Sequence, residues 1–307
     1  MTSIRPTERA GEASKAVPQD RRAGGEDAPA SIVLNEVELR LDTWFDACDA
    51  VAVAFSGGVD SGLVAYWARK TLGRERCTAW IGDSPSLKRA DLDGARAFCR
   101  AHDIPLRTLH PRELDDPDYA SNPVNRCFHC KTALYRALLE ALGEADVQAR
   151  ICSGANLDDQ GDYRPGLTAA SNASVGHPLL ECGVDKKTVR GLARRHGLGL
   201  WDKPASPCLS SRIPYGRPVT RRKLSQIEAA EAWLAGRGFL VCRVRHHGRI
   251  GRIEVPVERL DELRALWEEL VQSFQSLGFS RVELDEEGFV SGKLNRALRD
   301  EPKAGRP

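Results

Sequence analysis

The sequence predicts an α/β fold in which a doubly wound parallel sheet is followed by a smaller C-terminal α+β unit. Three observations carry that expectation. Short apolar runs alternate with helix-period stretches from about residue 50 to residue 153. A glycine-containing loop joins the first apolar run directly to a helical pattern. Beyond about residue 215 the rhythm changes to helices interleaved with strand-like alternation.

Taken in order, Val51 to Phe55 (VAVAF) reads as a buried parallel strand, Gly62 to Leu72 as a helix, Thr78 to Ile81 as a strand and Leu87 to His102 as a helix. Leu106 to Leu109 is a weaker third strand. A polar loop precedes a helix from about Lys131 to Leu142, and Ala149 to Ser153 is the next strand. After the Pro- and Gly-containing stretch Pro214 to Pro218, Arg221 to Gly236 looks helical. Phe239 to Arg245 and Arg252 to Val255 alternate as strands, Leu260 to Leu277 is an amphipathic helix, and Arg281 to Leu284 is a last strand. The expected organisation is a disordered tail over residues 1–30, a nucleotide-binding unit over 31–215, the α+β unit over 216–300 for substrate binding or oligomerisation, and a tail over 301–307.

Composition sets limits on function. The chain has 307 residues, 41% hydrophobic and 29% charged, enough to bury one large core or two modest ones. Its 45 basic and 43 acidic residues leave a formal charge of +2, so no global basic field drives nucleic-acid binding. No window approaches the eighteen or so apolar residues of a membrane span. The first thirty residues mix both charge signs and lack an apolar signal core, so the expectation is a cytoplasmic protein. Nine cysteines, an odd number without an export signal, argue against a disulfide framework. Cys77, Cys99, Cys152 and Cys242 fall in apolar patterns and read as core residues.

The most informative motif is Ser56-Gly57-Gly58-Val59-Asp60-Ser61, between the first strand and a helix. Glycines there permit a tight turn, and successive N–H groups with the helix N-terminus make a cradle for anionic phosphates. Ser56 and Ser61 add hydroxyls, and Asp60 could hold Mg²⁺. No Gly-Lys-Ser/Thr follows, so this is not a Walker loop. It resembles the PP-loop of the ATP pyrophosphatases, which split ATP between its α and β phosphates. A second stretch, Gly154 to Asp159 (GANLDD), follows a later strand, where Asp158 and Asp159 are candidates for the Mg²⁺ that accompanies leaving pyrophosphate.

Cys127 and Cys130 form a C-x-x-C in a polar loop before a helix, and Cys208 lies in another loop. The pair can be half of a zinc site, a redox pair or half of a cluster site. Three thiolates suffice for a 4Fe-4S cluster with one iron left open, whereas structural zinc closes with four ligands; His129 and Cys182 are candidates for a fourth.

SGGVDS, NPxxRCxxCK, GANLDDxxDYRPG, PCLSSRIPYG and the VRHHG and IGRIEV pair together resemble the LarE family of sulfur transferases over nearly the whole chain after residue 30. The resemblance implies that a carboxylate of pyridinium-3,5-biscarboxylic acid mononucleotide is adenylated by ATP and converted to a thiocarboxylate, for the nickel-pincer nucleotide of lactate racemase. It implies the three-cysteine kind of member, in which Cys127, Cys130 and Cys208 hold a 4Fe-4S cluster, with Cys208 and Asp60 as catalytic residues. ATP and Mg²⁺ would sit on Ser56, Gly57, Gly58, Val59, Asp60, Ser61, Gly154, Asp158 and Asp159.

Such a substrate carries a phosphate. Period-two alternation puts Arg243 and Arg245 on one strand face, and Arg212 follows the Cys208 loop, which makes these three the candidate substrate-binding residues. Expected partners are the mononucleotide, a sulfide donor and further copies of the chain, without nucleic acid or membrane. Two alternatives share parts of the pattern. A tRNA thiolase would keep the PP-loop and cluster cysteines but needs a basic RNA-binding module, and an ATP-binding cluster redox sensor would not need the arginines.

Overall fold

The computed structural model describes residues 28–145, 147–161, 165–290, 292 and 293. Helix α1 (Ala28–Asp46) leads into strand β1 (Val51–Ala54), α2 (Val59–Leu72), β2 (Cys77–Gly82), α3 (Arg89–Ala101) and β3 (Leu106–Leu109). The short α4 (Pro117–Ala120) and long α5 (Arg126–Glu144) precede β4 (Arg150–Ser153), α6 (Pro165–Asn172), α7 (Pro178–Glu181) and α8 (Lys186–Arg195). The four strands form one parallel sheet in the order β3-β2-β1-β4, with Val51 opposite both Cys77 and Arg150. Reversal of strand order around β1 makes the carboxyl ends of β1 and β4 the natural ligand crevice of a doubly wound sheet.

Every residue of β1 is buried because both faces of the sheet are covered. On one face Val51, Val53 and Phe55 join the core made with α1, α2, α3 and α8. On the other, Ala52, Ala54 and Trp80 pack under Tyr135 and Leu138 of α5 and Ala169 and Ala170 of α6.

The C-terminal region has its own sheet and core. Helix α9 (Arg221–Ala235), β5 (Arg243–His247), β6 (Ile250–Glu254), α10 (Leu260–Ala265), α11 (Trp267–Ser276) and β7 (Arg281–Leu284) surround Phe239, Val244, Ile253, Leu263, Leu270 and Phe274. Strands β5 and β6 are antiparallel and β6 and β7 parallel. A further apolar cluster of Tyr119, Leu209, Ile213, Val219, Leu224 and Ile227 joins this region to the first.

Several boundaries differ from the sequence-based expectations. The helix expected near Lys131 begins at Arg126, so Cys127 and Cys130 occupy its first turns rather than a loop; the polar NPVNRC run hid a helix start after Pro123. Helix α2 begins at Val59, which puts Asp60 and Ser61 on its first turn. The stretch expected to be one helix from Leu260 to Leu277 breaks at Leu266, whose φ of −100° and ψ of 9° leave the helical region. The strand expected from Phe239 starts only at Arg243, since Leu240 is 80% exposed beyond Gly238 at φ +88°. Residues 28–30 belong to α1 rather than to a tail, and the rest of both expected tails lies outside the described residues. The sequence reading also missed α6, α7 and α8.

Candidate active site

At the carboxyl end of β1 the chain turns through Gly57 at φ +73°, where a Cβ would also press on Ala95 and the Asp91 carbonyl at 3.3 Å. The Ser56 N–H donates to Ser61 Oγ at 3.1 Å, and the two hydroxyls lie 3.0 Å apart, which closes the loop over the N-terminus of α2. A fourteen-residue helix ending on this loop directs its free N–H groups and positive dipole end at an anion. Gly154, after β4, touches the same place. A Cβ there would lie 2.8 Å from the Asp60 carbonyl carbon and closer still to the Ser61 nitrogen, so only glycine lets the two strand ends meet.

The carboxylates around this loop are already engaged. Asp60 Oδ1 accepts from Asn156 Nδ2 at 3.1 Å, and its Oδ2 is paired with the Lys186 ammonium. Asp158 Oδ2 accepts from the Lys186 N–H at 2.9 Å, and Asp159 Oδ2 from the Asn156 N–H at 3.0 Å. Among the described residues these three aspartates do not gather into a cation cage; the groups that do come together are Asp116, Asp118 and His129. Asp60 is thus the member that belongs to the phosphate loop itself, and Asp158 and Asp159 bond the backbone of the neighbouring segments. This suits Mg²⁺, which takes one or two carboxylates and completes its shell with phosphate and water. Lys186, Lys203, Asn156 and Asp91 were not found by the sequence reading. Lys203 Nζ donates to the Gly57 carbonyl at 2.9 Å and pairs with Asp91 at 3.0 Å; its one signal was its place in the Lys203-Pro204 turn, shortly before Cys208.

None of the nine cysteines is in a disulfide. Cys48, Cys77, Cys99, Cys152, Cys182 and Cys242 are buried, and burial pushes the Cys77 and Cys99 thiols up to about 12. The other three come together: Cys130 feels the charges of both Cys208 and Cys127. Burial raises the Cys130 thiol to about 12, with Cys208 adding to the rise and Lys131 opposing it. Two motifs build this nest. The buried Arg126 donates through Nη1 to the Ser210 carbonyl at 3.0 Å and to Asn122 Oδ1. Asn122 in turn donates to the carbonyls of Pro214 at 2.7 Å and Arg217 at 3.0 Å. Behind them Ser86, Tyr119 and Ser210 share hydroxyl contacts of 2.6 to 3.0 Å, and burial holds the Tyr119 phenol well above its usual value, so it stays a neutral donor.

Of the two candidate fourth ligands, His129 turns Nδ1 toward the Asp116 carboxylate at 3.8 Å, and Cys182 lies in the main core. The three sulfurs of Cys127, Cys130 and Cys208 are not all within 4.8 Å of one another. Three thiols are a donor set that either a zinc ion or an iron–sulfur cluster could take.

The arginines expected to bind substrate are buried or half-buried rather than surface groups. Arg212 is 0% exposed; it donates to Glu231 through Nε at 2.8 Å and Nη2 at 3.1 Å, and through Nη1 to the Pro207 carbonyl at 2.8 Å. With its guanidinium directed at protein atoms, Arg212 supports the Cys208 loop. Arg243 and Arg245 do share the face toward that loop, donating to the carbonyls of Ala205 at 3.1 Å and Ser211 at 2.9 Å. Arg245 also holds Glu254 with two bonds of 2.9 Å.

A parallel sheet with a serine- and glycine-built anion loop between β1 and α2, closed by a glycine from β4, defines a PP-loop enzyme of the ATP-pyrophosphatase class. A family model described as NAD synthase matches residues 39–152. The pyridinium-3,5-bisthiocarboxylic acid mononucleotide synthase of Lactiplantibacillus plantarum is 36% identical over 248 residues, 81% of this chain and 90% of that protein. An uncharacterized Synechocystis protein is 41% identical over 260 residues, 84% of this chain and 96% of its own, and one from Methanocaldococcus jannaschii is 24% identical over 232 residues, 76% and 87%. The chain belongs to the LarE family of ATP-utilising sulfur transferases. No described helix is long and apolar enough to cross a membrane.

Proposed function

We propose that this chain uses ATP to activate a carboxylate of pyridinium-3,5-biscarboxylic acid mononucleotide as its adenylate and replaces the AMP with sulfur, giving a thiocarboxylate for nickel-pincer nucleotide synthesis. The observation that carries this reading is that one short segment connects the two chemical centres. Lys203 binds the phosphate loop, and five residues later Cys208 lies near enough to Cys130 for the charge of one thiolate to act on the other. The name of the Lactiplantibacillus relative supports the substrate.

In this reading the N–H groups of Gly57 to Ser61 hold the phosphates, Asp60 would hold Mg²⁺, which would neutralise phosphate charge, and Lys186 and Lys203 offset the charge of pyrophosphate as it leaves. The substrate carboxylate attacks the α-phosphorus in line with that leaving group. Arg243 and Arg245 would turn from the Ala205 and Ser211 carbonyls to receive the substrate phosphate beside the Cys208 loop. Cys127, Cys130 and Cys208 would hold a 4Fe-4S cluster, which when bound would supply sulfide and spare the protein its own sulfur. Arg126, Asn122 and Arg212 keep the three thiols in place, and the buried Tyr119 side of the nest excludes water.

The test is anaerobic turnover with ATP, Mg²⁺, the biscarboxylate mononucleotide and sulfide. AMP and pyrophosphate should form in step with a product in which sulfur has replaced oxygen, as read by mass spectrometry. Release of ADP and phosphate, or adenylate formation without sulfur transfer in iron-loaded protein, would overturn the proposal.

A further inference from the structure

Lys131 differs from the other cations around the two centres. It follows Cys130 and lies one helical turn after Cys127, so Cys127 and Lys131 share a face of α5. Cys127 is the exposed thiol of the trio, while Cys130 and Cys208 are half-buried, so this face is the side on which a solute meets the sulfurs. The Lys131 stem is held from behind by α6: a Cβ on Gly166 would come within 3.3 Å of Lys131 Cγ and 3.9 Å of the Cys127 carbonyl oxygen. The residue is half-buried. Lys88, Lys186 and Lys203 each have a carboxylate partner, whereas among the described residues the Lys131 ammonium has no carboxylate, hydroxyl or carbonyl within hydrogen-bond reach.

We propose that Lys131 receives a carboxylate of the substrate at the open edge of the thiol trio, holding the carboxyl carbon next to the place where sulfur arrives. The assignment rests on the substrate reading above and adds the residue that selects the reacting group. A compact ammonium serves this purpose because it pairs with one carboxylate oxygen from a single point and leaves the other oxygen to attack ATP. The phosphate end of the same molecule would then face Arg243 and Arg245, which donate to the carbonyls of Ala205 and Ser211 on either side of Cys208. A carboxamide in place of the carboxylate would offer Lys131 no charge.

The experiment compares nicotinic acid mononucleotide with nicotinamide mononucleotide by calorimetric titration of the anaerobic, iron-loaded protein without ATP. Wild type should bind the acid at least about tenfold more tightly than the amide. Lys131→Met should remove that preference while leaving amide affinity and iron content within about twofold of wild type, and Lys131→Arg should keep part of it. A preference that survives intact in Lys131→Met, or its absence in wild type that binds both probes, overturns the role of Lys131 alone. Binding of neither probe to wild type overturns the substrate reading together with it.

Discussion

The ammonium of Lys203 is bonded to the Gly57 carbonyl at 2.9 Å, so a residue five positions before Cys208 fixes the turn that receives phosphate. Asp91 holds the same ammonium at 3.0 Å and the Ser206 hydroxyl at 2.7 Å, which ties the whole segment down at the edge of α3. Lys203→Met should therefore raise the KM for ATP by about tenfold or more while substrate affinity changes little, since one charge-assisted bond is worth about 1.5–3 kcal/mol. Steady-state kinetics with each ligand varied in turn will decide. Equal loss for both ligands would show that Lys203 only supports the fold.

Arg126 joins the two cysteine motifs through the Ser210 carbonyl, and its surroundings are buried enough that no water replaces the guanidinium. With the three thiols holding a cluster as proposed, Arg126→Gln should weaken iron binding by about tenfold, as loss of an outer support of a metal ligand commonly does, with ATP affinity unchanged. Iron and acid-labile sulfide per chain, measured beside ATP titration, test this. Full cluster content in the variant would remove Arg126 from the nest.

Arg212 and Glu231 are a buried pair that also takes in Lys88 at 2.5 Å and the Val244 N–H at 3.0 Å. Burial alone would raise the Glu231 carboxyl, but the Arg212 guanidinium and Lys88 ammonium outweigh it and hold the group below its ordinary value. Replacing only Arg212 by Met should cost about 3–5 kcal/mol in urea unfolding, because Glu231 loses its main counter-charge inside the protein. The double variant Arg212→Met/Glu231→Leu should recover part of that loss. A single variant as stable as wild type would contradict the pairing.

His246 gives a stability that depends on pH. Gln226 donates to the Leu277 carbonyl, so its Oε1 accepts from His246 Nε2, and Nδ1 is left without a partner in a buried site beside Phe279. Burial, then the Lys223 charge, lowers the imidazole from 6.5 to about 4. The unfolded chain thus binds more protons between those values, so stability is complete above about pH 6.5 and falls as pH drops toward 4, by about 3 kcal/mol in all and about 2 kcal/mol of it between pH 7 and pH 5. Urea midpoints should shift accordingly between pH 7 and pH 5, and His246→Gln should flatten the slope. An unchanged slope in that variant would assign the pH dependence to other groups.

By itself the sequence determined the parallel sheet and the phosphate loop, because both are written locally. The run VAVAF is apolar at every position, as a strand covered on both faces must be, and Ser56 to Ser61 carries its glycines at the turn that needs them. Local pattern also set Cys127, Cys130 and Cys208 apart from Cys77, Cys99, Cys152 and Cys242, which lie in apolar runs, but it left Cys182 a candidate ligand until the tertiary structure put it in the core. What it could not determine depends on contacts between residues far apart in the chain. That Gly154 must be glycine follows from its approach to Asp60 and Ser61, and that Arg212 is an internal counter-charge follows from Glu231 on α9. Lys203, Lys186 and Arg126 look like ordinary surface cations in one dimension. Only the tertiary structure places them, because a charge acquires a role from the group that packing sets against it, and packing joins segments that sequence order keeps apart.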